Sequence, residues 1–226
     1  MRPSSNSFNS WYLQKIGNYQ PSDYLLSIIA YHSAPVLEGE KPAVLLTLGN
    51  AGNRKLNEVW LKNREQLPAA GNFRYFELLR IPERTVVLFY HPGLLQEVLW
   101  EESAADYLRS CGYRKELTVE TALADLKTRY RTGCPHEIGI FLGIPLPDVL
   151  GFIANRGKKA LANGYWKVYH DPAPKLALFS RYQQAKDGFV RFMMAGKGPQ
   201  DYLWHKIAVI TEQPERLKNN SDVVID

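Results

Sequence analysis

Cysteine is scarce in this chain: Cys111 and Cys134 are the only two among 226 residues. Two thiols exclude a disulfide-stapled scaffold and a zinc cage built from cysteine alone, and free thiols in a reducing compartment are expected. Long apolar runs are also missing, and none approaches the ~20 residues that a membrane-spanning helix needs. The first residues, MRPSSNSFNSWYLQ, lack a secretory apolar core, so a cytoplasmic location without a membrane partner is expected. The five histidines (His32, His91, His136, His170 and His205) show no HExxH or other ligand spacing, and no metal site is expected. No GxSxG elbow, GxxxxGK[ST] loop or GxGxxG turn occurs, and the carboxylates are dispersed. The sequence therefore assigns no catalytic residue, cofactor or reaction. Internal repeats and long linkers are absent as well, which argues for a single domain over residues 1–226.

What is present is core-forming material. A hydrophobic share of 45%, with 12% aromatic residues, is ample for a folded globular protein. The net charge of +5 permits a polyanionic partner but does not require one. Patterning predicts a loosely ordered arm over 1–20, then a helix over 23–32 whose apolar face is Leu25, Ile28 and Ile29. A buried strand AVLLTL (43–48) and a helix over 54–67 follow. An antiparallel hairpin from 73–81 and 84–91 comes next, separated by Pro82 and Glu83. Helices are predicted at about 93–110 and 119–131, a strand at 164–170, a long helix from Pro172 to about Met194, and a loose tail over 211–226. Strands followed by helices indicate an α+β fold with one small mixed sheet (a mixed α/β arrangement being the alternative), packed by several helices.

The segment with the most specific local geometry is GCPHEIGIFLGIPLPDVLGFIANRGKK (133–159). Gly139 supplies a small residue inside a first short helix and Gly143 a corner. The apolar spacing of Ile138, Leu142, Ile144, Val149 and Phe152 would lock two helices together, as in a helix-turn-helix over 135–156. A base-reading face needs Arg, Lys, Asn or Gln. Here that face would offer Pro147, Asp148, Leu150, Gly151 and Ala154, and the cations Arg156, Lys158 and Lys159 follow only beyond the helix. Nucleic-acid binding through those three cations is accordingly the second reading, behind a packed helical corner. Within the same segment Cys134 would sit at a helix start, with Pro135 in the first turn and Glu137 behind it. The helix dipole would favour its thiolate, so a thiol enzyme or redox protein centred on Cys134 is a third reading.

Other candidates are weaker. TLGNAGNRK (47–55) places Asn53, Arg54 and Lys55 at a helix start, where backbone N–H groups and two cations suit an anion. An ordinary helix cap at Asn53 explains most of that pattern. HSAPVLEGEKPA (32–43) gathers His32, Ser33, Glu38 and Lys41, although Pro35, Gly39 and Pro42 also fit a rigid turn. In NGYWKVYH (163–170), strand alternation would put Trp166 and Val168 on one face and Tyr165, Lys167 and Tyr169 on the other.

Three blocks together, HSAPVLEGEKPAVLL, CPHEIGIFLGIPLPDVLGFIANRGK and NGYWKVYHDP, resemble a bacterial family of unknown function, number 3793 among such domains, over roughly residues 24–182. Where the family pattern often has an aromatic residue after the corner glycine, this chain has Ile144. The resemblance implies membership and carries no activity. It directs attention to His32, Pro35, Gly39, Lys41, His136, Glu137, Gly143, Asp148, Gly151, Asn155, Trp166 and Tyr169. The leading expectation is a protein that binds a small molecule, anionic ligands included, or a protein partner. Its candidate ligand-binding residues are His32, Lys41, His136, Glu137, Trp166 and Tyr169, with Lys41 pairing an anionic group and Trp166 stacking.

Overall fold

The computed structural model describes residues 5–67 and 72–212. Its central element is the strand β3 (Arg84–Tyr90), whose neighbours β1 (Ala43–Gly49) and β2 (Arg74–Ile81) both pair with it antiparallel. Six consecutive residues of β3, from Thr85 to Tyr90, are buried, because the sheet is covered on both faces. Alternation sends Val87 and Phe89 to one core and Val86, Leu88 and Tyr90 the other way, with Leu88 and Tyr90 in a second core. A bulge between Glu77 and Leu79 adds a residue to β2. The fold is α+β: this three-stranded sheet, a two-stranded ribbon, and helices on both sheet faces.

The first core joins the sheet to α1 (Ser5–Gly17), α2 (Pro21–Leu37), α3 (Leu56–Asn63), α9 (Pro172–Met194) and α10 (Pro199–Glu212). The expectation of a loose arm over 1–20 is corrected here. Phe8, Tyr12 and Ile16 recur every four residues, so residues 5–17 coil into a helix that buries this stripe. The Tyr12 hydroxyl donates to the Ser27 carbonyl at 3.0 Å, and its ring stacks on Tyr31 at 4.6 Å. Helix α10, which the patterning did not predict, is held to α2 by Tyr202 and Lys206, both bonded to Glu38. It extends the described structure into the segment expected as a tail, whose remaining residues beyond Glu212 lie outside the described ones.

The second core joins the other sheet face to α4 (Pro92–Trp100), α5 (Glu102–Ser110), α6 (Val119–Tyr130), α7 (Ile138–Phe141) and α8 (Leu146–Ala154). The single helix predicted over 93–110 is two helices. Glu101 leaves helical geometry, and its carboxylate accepts the Ser103 and Ala104 N–H groups, capping α5. The strand predicted over 164–170 shrinks to β5 (Lys167–Val168), paired with β4 (Ala162–Asn163). Trp166 and Val168 are buried as strand alternation requires, in a small satellite core with Phe179 and Tyr182.

The connection from α2 to β1 runs against the helical corner. Helix α2 continues through His32 to Leu37, past the end expected at residue 32, and includes Pro35. The Pro35 carbonyl then accepts both the Glu40 and the Lys41 N–H groups, at 2.9 and 3.1 Å, with Gly39 at φ +73°. This turn delivers Lys41 and Pro42 onto the helical corner. Gly143 at that corner has φ +74°, and a β-carbon there would lie 2.7 Å from the Pro42 ring. Both the turn and the close approach of Pro42 require glycine.

Candidate functional site

Lys41 is 7% exposed, and its ammonium donates to the Leu142 carbonyl at the end of α7. Its other neighbours are aromatic: the Nζ lies 5.9 Å from the Trp166 ring centroid and 5.2 Å from that of Tyr182. Lys186, one helical turn beyond Tyr182 on α9, stands over Tyr165 at 4.7 Å and Tyr31 at 5.1 Å. His32 lies against Tyr31, with ring centroids 5.3 Å apart. Among the described residues neither Lys41 nor Lys186 forms an ion pair.

The electrostatic result is a set of basic groups that disfavour one another's charge. Burial, reinforced by Lys186, lowers the Lys41 amine from the usual lysine range to about 7. The same two causes lower His32 to about 4. Burial also lowers Lys186. The nearby carboxylate Glu40 is engaged by Arg181 at 2.8 Å. Asp187 accepts a hydrogen bond from Gln183, and its charge is felt by Tyr31 and Tyr165. An open groove lined by Tyr165, Phe179, Gln183 and Lys186 exposes the Lys186 end of this cluster to solvent.

Trp166 also borders a separate cleft, of about 330 Å³, formed by the helical corner. His136, Leu142, Ile144, Val149 and Phe152 line it, and the His136 ring lies 5.6 Å from Phe152. Asp148 is buried beside this cleft. Its carboxylate accepts the Trp166 Nε1–H at 2.8 Å and the Tyr169 and His170 N–H groups at 2.8 and 2.9 Å. Where a base-reading helix would expose Asp148, the side chain instead pins the β5 segment to α8. Gly151 permits the contact, because a β-carbon there would overlap the Tyr169 Cβ. The α8 surface that a base reader would expose is thus partly covered by Tyr169.

The remaining candidates separate in space. Glu137 is buried against Arg129, whose guanidinium also donates to the Cys111 carbonyl at 2.7 Å, and it lines neither opening. Tyr169 packs over Gly151 with its hydroxyl buried and without a hydrogen-bond partner. Arg54 donates to the Tyr19 carbonyl at 2.7 Å and to the Gly17 carbonyl, closing the end of α1, while Lys55 donates to the Asn50 carbonyl. Asn53 is not the cap of α3. The flanking residue is Lys55 in left-handed geometry, and Asn50 Oδ1 accepts the Glu58 N–H. Cys134 is exposed and precedes α7 by four residues, so the expected helix start at Pro135 does not form. Its thiol neighbours the Tyr130 hydroxyl, which burial and that contact raise to about 12. Arg156, Lys158 and Lys159 lie in the turn after α8, and all three are exposed.

Sequence reasoning paired Lys41 with Trp166 and missed Tyr31, Tyr182 and Lys186. The four-residue spacing of Tyr182 and Lys186 on the long helix was the available signal. Among the described residues no cluster of His, Cys, Asp or Glu suits a metal ion, and no helix is long and apolar enough to cross a membrane.

A family model described as "Protein of unknown function (DUF3793)" matches residues 29–203. No curated protein and no solved structure matches the chain.

Proposed function

Because the chain belongs to the DUF3793 family of proteins of unknown function, membership brings no activity, and we propose from the geometry that it binds a small aromatic anion at the Lys41, Lys186 and His32 cluster. The observation that carries this reading is Lys41, enclosed by Trp166, Tyr182 and one carbonyl without a carboxylate partner. A buried ammonium without a counter-ion is costly, and its usual remedy is to lose its proton or to gain an anion. Lys186 and His32 add positive charge when protonated, and Tyr165 and Phe179 offer ring faces along the groove.

Anion binding would return protons to Lys41 and His32, so it strengthens as pH falls through the neutral range. The test is isothermal titration calorimetry with benzoate and phenyl phosphate, using benzyl alcohol as the uncharged comparison. Saturable binding of the anions is expected, with net proton uptake when the titration is repeated at pH 8 in buffers of different ionisation enthalpy. Lys186→Met should weaken it at least tenfold with the fold intact by circular dichroism. Failure of both anions to bind, or binding of benzyl alcohol equal to theirs, sinks the reading.

A further inference from the structure

The helical-corner cleft is chemically unlike the lysine cluster. Its walls are almost wholly apolar, and its volume of about 330 Å³ falls at the lower end of ligand pockets, about 300–1,000 Å³. The one carboxylate beside it, Asp148, already accepts three hydrogen bonds and carries no spare attraction for a cationic ligand. At one end stand the Phe152 ring and Lys167, and there the turn after α8 closes over them. A β-carbon at Gly157 would lie 3.1 Å from the Phe152 ring and 3.7 Å from Lys167 Nζ, which donates to the Gly157 carbonyl at 2.5 Å.

That turn carries Arg156, Lys158 and Lys159, and with Lys167 none of the four forms an ion pair among the described residues. Arg156, Gly157 and Lys159 all hold positive φ, at 52°, 70° and 57°, so the turn is tightly wound. An apolar slot with uncompensated cations at one end complements a molecule with the same asymmetry.

We infer that this cleft binds a single-chain anionic amphiphile, with its acyl tail against Leu142, Ile144, Phe152 and Trp166 and its head group at Lys158 and Lys167. The charge complementarity selects the head group, and walls whose uncharged polar side chains are limited to Cys134 and His136 select an alkyl tail over a polar one. This site does not depend on the aromatic-anion reading, with which it shares Trp166 and Leu142, whose carbonyl Lys41 engages.

The test is titration calorimetry below the micellar range with dodecanoate, decanoate and dodecyltrimethylammonium. Dodecanoate should bind saturably at one site. Decanoate, two methylenes shorter, should bind roughly tenfold more weakly. The cationic amphiphile should bind at least tenfold more weakly than dodecanoate. Lys158→Glu, on an exposed residue, should weaken dodecanoate binding without lowering the melting temperature, and the double variant with Lys167→Glu should weaken it further. Phe152→Ser should weaken it while leaving the head-group preference in place. Lys186→Met should leave it within twofold of the wild type, which separates this outcome from that of the other site. Absence of saturable dodecanoate binding overturns the proposal, as does indifference to head-group charge. Capture of the protein on phosphatidylglycerol vesicles without dodecanoate binding would mark this face as a membrane contact and overturn it too.

Discussion

Two regions of this molecule bury charge, and they do so in opposite ways. Around α7 and α8, each buried carboxylate is answered. Glu137 meets Arg129, which also reaches the Cys111 carbonyl and stands 5.5 Å from the Tyr113 ring centroid, while Asp148 accepts three hydrogen bonds. Around α9, Lys41 and Lys186 have ring faces and a single carbonyl between them. Satisfied buried charges hold elements together. Unsatisfied ones are maintained at a cost to stability, and that cost is what the proposed anion would offset.

The comparison breaks most visibly at Asp148. Asp148→Ala strands the Trp166 indole N–H and two backbone N–H groups, and it should destabilise the protein by about 4 kcal/mol in urea unfolding. A loss below about 1 kcal/mol would mean that β5 is held by other contacts. Next in size is the acid limb of stability. His32 titrates at about 4 when folded and near 6.5 when unfolded, so the unfolded chain takes up its proton first. Its contribution, on the order of 3 kcal/mol, is full above pH 6.5 and lost as pH falls towards 4. His32→Phe should flatten that limb in chemical denaturation between pH 4 and 7.

Glu137→Ala should cost about 2 kcal/mol, discounted from the full penalty for a broken buried pair because the Arg129 side chain is 37% exposed. The smallest change is expected at Lys41. Lys41→Met should leave the melting temperature at pH 7 unchanged or raise it, since a methionine carries no desolvated amine. In the wild type the folded amine sheds its proton near 7 and the unfolded one near 10.5, so stability should climb between those values. Lys41→Met should remove that climb. A large destabilisation instead would make Lys41 a structural tie to Leu142.

Much of the fold was legible because it is local. Short β-rich runs bounded by turn residues marked β1, β2 and β3, and the glycine corner at Gly143 was recognisable from spacing alone. Helix α1 was equally readable, through Phe8, Tyr12 and Ile16, but its polar neighbours masked the stripe. The break at Glu101 was hidden because a carboxylate can either cap a helix or sit on its face, and the 93–110 periodicity runs across it. The candidate site was half legible: Lys41 and Trp166 are brought together as expected, while His136 borders the cleft and Glu137 turns away to Arg129.

Patterns among nearby residues specify the three strands of the main sheet, most of the helices, the corner glycines and the family. Only the tertiary structure decided which polar groups are satisfied. Asp148 finds its donors at positions 166, 169 and 170, and Lys41 finds its carbonyl at 142 and its ring neighbour at 182. Charge compensation in a buried site depends on distances of a few ångströms between segments far apart in the chain, and no periodicity encodes those distances.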